Sequence, residues 1–358
     1  MQATFFKDLR VVELASVLAG PAVGMFFAEL GAKVIKIENK KTQGDVTRRW
    51  KLPSENAQSN TSAYWQSVNY GKEVWMLDLS DQNDQLAAVN AIKEADVVIS
   101  NFKPSSAKKL GLDAHTLRDL KPNLIYAQLT GYGEGNDRPA FDVVLQAEAG
   151  FLFMCGEPTG NPVKMPVALI DILAAHQLKE GILIALLNRY QTGKGATIST
   201  SLLESAIASL ANQATNYLMA GHIPQRMGSQ HPNIAPYGDI FYTKDDKPIV
   251  IAVGTEKQFK GLCRVLGIHL DQEEAFAVNA SRVKNRESLK TTLIPAFKAF
   301  TRKELLSKLK AQQVPVGSVN NMAEVFAMPE ASNMVLEDLT TEGTTAKRVK
   351  TVAFDIKI

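Results

Sequence analysis

Cysteine is almost missing: Cys155 and Cys263, far apart and without a CxxC spacing, are the two in 358 residues. That excludes a disulfide framework and a thiolate zinc site, and it fits a reducing compartment, so the expected location is the cytoplasm. Histidine is scarce as well. His115, His176, His222, His231 and His269 show no HxxH or HExxH spacing, and no metal site is expected. No apolar run reaches the roughly 18 to 20 residues that a membrane helix needs; the longest candidate, GILIALL, falls far short. The opening MQATFFKDLRVVEL lacks the charged segment, apolar stretch and small-residue cleavage site of a signal peptide. One-sided charge is absent too. The 40 basic and 37 acidic residues leave a net charge of +3, which argues against a nucleic-acid surface and leaves a small anionic ligand open. Finally, there is no GxSxG elbow, no Walker loop and no GxGxxG after the first strand, which removes the commonest hydrolase, nucleotide-triphosphatase and dinucleotide readings.

What is there is a rhythm. VVEL, a helical AVGMFFAELGA and VIKIE make a βαβ pattern, repeated as VWMLDLS, DQLAAVNAIKEA and DVVISNF, and again through LRDLKPNLIYAQLTGYG. This predicts an α/β fold: a Rossmann-like doubly wound, mostly parallel sheet. Ligands of such sheets lie beyond the carboxyl ends of the strands, here Leu14 to Pro21, Glu38 to Asp45, Asn101 to Pro104 and Thr130 to Gly135. Lys40, Lys41, Lys103, Lys108, Lys109 and Arg138 stand near those ends, where a polyphosphate would meet positive charge; any one of them also suits a solvated surface. From about Phe141 to Leu218 the pattern is helical, with a strand at ATISTS. GDIFYTKDDKPIVIAVG then reads as a hairpin around TKDDK, followed by amphipathic helices. The expected division is a large domain over 1–224, rejoined by 321–358, and a smaller α+β domain over 225–320. The closing KRVKTVAFDIKI reads as strand material returning to the first domain.

One residue resists the pattern. MPVALIDILAAHQ places Asp171 inside an apolar run that becomes a long helix toward Tyr190. An aspartate there is ordinarily an N-cap, worth about 1 kcal/mol against alanine. The same position suits an activated nucleophile, a carboxylate at a helix N-terminus desolvated by Leu169, Ile170 and Ile172. His176, five residues on, points about 140° away on a helix and cannot pair with it. Periodicity leaves both readings of Asp171 open. The glycine-rich TGYGEG, residues 130–135, is a turn whose amides can also meet an oxyanion.

In order and spacing, LRVVELASVLAGPAVGMFFAELGAKVIKIE, GDVTR, NYGK with LDL, ADVVISNFKP, KKLGLD, PNLIYAQLTGYGEG, QAEAG, NRYQTGKGATISTSLLESAIASL, HPNIAPYGDIFYTKDD and VPVGSVNNMAEVFAMPE resemble the class III (CaiB/BaiF) CoA-transferase family over nearly the whole chain. That family includes formyl-CoA and carnitine CoA-transferases and the α-methylacyl-CoA racemases. The resemblance implies Asp171 as the catalytic aspartate and coenzyme A as substrate and product. It implies CoA contacts at Val17, Leu18, Ala19, Leu77, Asn101, Phe102 and Lys109, with Asn39 where relatives often carry arginine and Lys40 beside it. Lys109 also stands for an arginine, keeping the charge without the planar fork. The implied activity is CoA transfer from an acyl-CoA to a free carboxylic acid through a mixed anhydride and an aspartyl-CoA thioester. The oxyanion donors are expected in the first helical turn or in TGYGEG. The implied assembly is an interlocked homodimer. Racemases of the family carry a histidine in a GHDxxY-like segment; here it reads PAFDVVLQ, and Phe141 cannot exchange a proton. Val143 stands where formyl-CoA transferase has a glutamate. The other readings are an acyl-CoA racemase or epimerase with a different base, and a non-catalytic acyl-CoA binder.

Overall fold

The computed structural model describes residues 4–340 and 343–357. Six short runs rich in β-branched residues form one parallel sheet: β1 (Arg10–Leu14), β2 (Lys33–Asn39), β3 (Lys72–Leu77), β4 (Val97–Ser100), β5 (Ile125–Thr130) and β6 (Ala196–Ser201). Their order is β3-β2-β1-β4-β5-β6. The βαβ rhythm of the sequence is thus a doubly wound sheet whose strand order reverses between β1 and β4, and a crevice opens at that point beyond the strand ends.

Helices cover both faces, so the strands are apolar on both sides. On one face Val11, Val97 and Ile125 pack with Phe27 and Met25 of the helix Ala19–Glu29 and with Ala174, Leu178 and Ile182 of the helix Leu169–Thr192. On the other, Val12, Leu14, Val98 and Tyr126 meet Ala88 and Ile92 of the helix Gln82–Glu94. That helix begins as its sequence dictates, with the Asp81 carboxylate accepting from the amides of Asn83 and Asp84.

The chain divides into two compact units, Met1–Phe151 with Lys164–His222 and Ser332–Ile358, and Leu152–Val163 with Ile223–Ala331. The second holds an antiparallel sheet of β7 (Tyr237–Tyr242), β8 (Pro248–Ala252) and β9 (Val316–Ser318). Its core is built around Phe241 and Phe297, whose rings stack with centroids 4.1 Å apart.

The closing segment pairs locally. Thr345–Val349 is a strand, β11, but its partner is β10 (Val335–Leu339), antiparallel and close in sequence, and the six-stranded sheet does not include it. A near neighbour costs less loop entropy than a distant sheet edge. The chain still comes back to the first unit by another means: the Glu29 carboxylate accepts from the Thr351 amide and hydroxyl (2.7 and 2.9 Å) and from the Val352 amide (3.0 Å). The final Ile358 lies outside the described residues.

Candidate active site

The helix Leu169–Thr192 runs 24 residues and stops at Gly193, whose left-handed φ of 70° suits glycine. Ile170, Ala174, Leu178, Ile182 and Ala185 form its buried stripe. Asp171 sits beside the head of that stripe, in the third helical position, and is 8% exposed. It is not the N-cap. That position belongs to Ala168, which has no side-chain cap to offer.

The capping carboxylate comes from another element. Asp142, first residue of the helix Asp142–Glu148, accepts at Oδ1 from the amides of Ile170 (2.7 Å) and Asp171 (3.4 Å). Its Oδ2 accepts from Gln146 Nε2 (2.6 Å), and Gln146 Oε1 accepts from the Met165 amide (2.8 Å), which fixes the approach to the helix. Two consequences follow from this arrangement. The Ile170 and Asp171 amides, expected among the first-turn oxyanion donors, are already occupied. The Asp171 carboxylate, for its part, has no hydrogen bond among the described residues. Burial, with the Asp142 charge as a second cause, pushes its pKa up to about 7. A carboxylate at a helix start is ordinarily stabilised by the free amides there, but here Asp142 has taken that role.

The loop after β1 is held just as closely. Val17 has φ 71°, unusual for a β-branched residue, and its amide donates to Asp45 Oδ2 at 3.0 Å. Asp45 is set by the Thr47 amide and hydroxyl on Oδ1 (3.0 and 2.9 Å) and lies 3.3 Å from Lys36 Nζ. Lys36 also bonds Glu13 (2.9 Å) and the Ala15 carbonyl (2.6 Å), and Lys72 lies 2.7 Å from Glu13. All four charged side chains are fully buried. Burial alone would lower the pKa of Lys36, yet the carboxylates of Glu13, Asp45 and Glu38 hold it above its ordinary value. On the other side of the loop, Asn101 accepts from the Ser16 amide (3.1 Å) and donates to its carbonyl (2.9 Å).

Two cavities flank the reversal of strand order. One, of about 280 Å³, is lined by Val17, Leu18, Ala19, Asn101, Phe102 and Asp171, together with Ser16, Thr130, Gly131, Arg138 and Phe141. The other, of about 480 Å³, is lined by Asn39 and Leu77 with Lys41, Asp78 and Ser80. Ser16 and Phe102 face both. Of the residues singled out from the sequence, Lys40 and Lys109 line neither cavity, and both are exposed. Lys41 lines the larger one; it lies 2.8 Å from Asp78 and donates to Ser80 at 2.6 Å, and it holds the Asp78 carboxyl down at about 2. TGYGEG contributes Thr130 and Gly131. Gly131 packs so tightly on Ala140 that any side chain would collide, and this draws the 136–141 loop over the smaller cavity. His176 is exposed and lines neither cavity.

Two groups around the site escaped the sequence reading, and a third was not distinguished from its neighbours. Asp142 looked like an ordinary polar residue of PAFDVVLQ, with its distance in sequence from Asp171 hiding the contact. Lys41 was named among the charges a polyphosphate would meet, but nothing in the sequence set it apart from Lys40 or Lys109. Tyr64 carried no motif at all, yet burial and the charges of Asp171, Asp142 and Asp45 push its phenol up to about 12, so its ring belongs to the surroundings of the carboxylate.

Among the described residues no three His, Cys, Asp or Glu side chains gather as a metal centre would require, and no helix is long and apolar enough to cross a membrane.

The family model for CoA-transferase family III matches residues 6–357. The chain belongs to CoA-transferase family III. A succinate–glutarate CoA-transferase from Agrobacterium fabrum (strain C58 / ATCC 33970) is 37% identical, the match covering 96% of this chain and 88% of that protein. An acetyl-CoA:oxalate CoA-transferase from Acetobacter aceti is 34% identical over 93% and 85% of the two chains. Among solved structures, a CaiB/BaiF family protein from Brucella suis superposes with a TM-score of 0.85 at 37% identity, covering 99% of this chain and 93% of its own. Membership makes this family III chain a CoA-transferase with acyl-CoA and carboxylate substrates.

Proposed function

We propose that the protein transfers CoA between dicarboxylic acids with Asp171 as the covalent acyl acceptor. One observation carries this reading: a buried carboxylate, without a hydrogen bond and with its pKa near 7, faces the cavity walled by the loop after β1. A structural aspartate would be paired. An unpaired one keeps its lone pairs for an electrophile.

In the proposed sequence an Asp171 oxygen attacks the thioester carbon of the donor, the C–S bond breaks, and CoA leaves as thiolate. The product is a mixed anhydride. Thiolate then attacks the Asp171 carbonyl carbon, expelling the donor acid and forming an aspartyl-CoA thioester. The acceptor carboxylate attacks that thioester and releases thiolate, which attacks the acceptor's own acyl carbon. New acyl-CoA forms and the Asp171 carboxylate is restored, with no net proton change. The covalent route conserves the thioester's energy as long as water is kept from the anhydride. Asp142 holds the helix start without donating to Asp171, and so leaves the nucleophile basic.

Val17, Leu18, Ala19, Asn101 and Phe102 are the proposed contacts near the thioester, Asn39 and Leu77 those near the nucleotide. The pair of cavities sharing Ser16 and Phe102 suits a long substrate with two ends. Lys40 and Lys109 are proposed at most as long-range attraction for its phosphates. The choice of dicarboxylic acids rests on the succinate, glutarate and oxalate in the names of the two similar transferases. The proposed domains, 1–224 with 321–358 and 225–320, find support in the two compact units, which differ in grouping Leu152–Val163, 223–224 and 321–331 with the second. An interlocked homodimer in the cytoplasm is the proposed state. Leu183, Ile184, Leu187 and Tyr190 expose an apolar face on the helix that carries Asp171, which favours a covering partner chain.

The test is CoA exchange between succinyl-CoA and glutarate followed by mass spectrometry, with Asp171→Ala alongside. Transfer by the wild type and none by the variant is expected; comparable turnover in both would refute the assignment.

A further inference from the structure

If CoA moves between dicarboxylic acids, one carboxylate of each acid reacts while the other must be held. The surroundings of Asp171 oppose this, since Asp142 stands against the same helix start and a doubly charged acid approaches two negative groups. A cation on the cavity wall would offset that repulsion. The wall offers Lys103 and Arg138. Lys103 is an exposed, flexible side chain at the start of the helix Pro104–Lys109.

Arg138 is fixed. Its guanidinium lies 4.3 Å over the Tyr132 ring, one nitrogen is bound by Glu148, and its amide donates to Asn136 Oδ1 at 3.0 Å. The guanidinium carries five N–H donors, so pairing with Glu148 leaves an edge able to take a carboxylate bidentately. The side chain is half exposed, at 52%, and the edge is open to a ligand. The position is also pinned from behind, because the tight packing of Gly131 on Ala140 fixes the loop that bears it.

We propose that Arg138 binds the non-reacting carboxylate of the acid and so selects dicarboxylic over monocarboxylic substrates. This rests on Asp171 as the acyl acceptor in the same cavity.

The experiment uses the full-length enzyme with one fixed acyl-CoA donor and three acceptors: glutarate, pentanoate and the monoamide of glutaric acid. Ratios of kcat/KM between acceptors cancel effects on the donor or on the amount of folded protein. The wild type should prefer glutarate to the monoamide by about 10- to 100-fold, the range of a charge-assisted hydrogen-bonded pair. In Arg138→Gln that preference should collapse toward unity, and Arg138→Lys should retain part of it. A wild type that takes the monoamide as readily as glutarate overturns the proposal, and this arm needs no variant to fold. An unchanged preference in Arg138→Gln overturns it equally, and equal losses for all three acceptors would assign Arg138 to CoA binding instead. Acylation of wild-type Asp171 is followed in parallel. Its absence would strike the parent reading, whereas its presence with unchanged ratios would strike Arg138 alone.

Discussion

Two sites of buried charge are treated in opposite ways. Beneath the loop after β1, Glu13, Lys36, Lys72 and Asp45 are removed from water together, each within 3.3 Å of an opposite charge. At the start of the helix Leu169–Thr192, two carboxylates meet, and among the described residues no cation pairs with either. The first arrangement fixes a loop in a strained shape with an opposite charge beside every group, although burial still pushes the Lys72 pKa down to about 8. The second costs stability and leaves the Asp171 carboxylate without a hydrogen bond among the described residues. Paired burial positions the loop after β1; unpaired burial is the feature on which the proposed nucleophile rests.

Removing the unpaired carboxylate tests the contrast hardest. Asp171→Asn should lower transfer by roughly 10³-fold or more, as loss of a covalent nucleophile does. Thermal unfolding of the same variant gives the opposite sign. Because folding raises the Asp171 pKa from its ordinary value near 4 to about 7, its favourable contribution is complete below about pH 4 and is lost as pH rises through about 7. Asp171→Asn should thus raise the melting temperature relative to wild type at pH 8 and change it little at pH 4; a variant that is less stable at pH 8 would break the comparison.

Breaking the paired network should do the reverse. Lys36→Met leaves Glu13 and Asp45 without their shared cation and should cost about 3 to 5 kcal/mol in urea unfolding. A loss below about 1 kcal/mol would mean that the network is not what holds the loop.

Asp142→Asn keeps an acceptor for the Ile170 and Asp171 amides but deletes the facing charge. In wild type kcat/KM should rise with pH through about 7, as Asp171 ionises. In Asp142→Asn that limb should move to lower pH, with transfer at pH 8 reduced by about 10-fold or less as the carboxylate becomes less basic. An unmoved limb would deny Asp142 any electrostatic role. The smallest effect is expected at exposed Lys109: Lys109→Ala should change the KM for the acyl-CoA by less than about 2-fold at physiological salt, where exposed charges are largely screened.

The same contrast explains what the sequence could reveal. The parallel strands were legible because burial on both faces leaves β-branched runs such as the VVI of Val97–Ser100, and Asp171 was conspicuous because a charge breaks an apolar run. Its partner was not. Asp142 lies 29 residues earlier, between the Phe141 and Val143 that drew notice in its segment, and only folding brings its Oδ1 to the helix start. The return of the chain through Glu29 was hidden for a similar reason: its hydrogen bonds span 322 and 323 residues, and no periodicity encodes them. The buried lysines sat in plain view inside strands, at alternate positions that a half-solvated sheet would place in water. Their meaning depended on Glu13 and Asp45 arriving from other strands and loops.

The central claim is that the helix-head carboxylate carries the acyl group during turnover. Intact-mass analysis of enzyme mixed rapidly with succinyl-CoA, followed by hydroxylamine or borohydride trapping and peptide mapping, tests it most directly. A modification confined to the peptide bearing Asp171, and absent from Asp171→Ala, is the predicted result. Efficient transfer with no modification at that residue would contradict it.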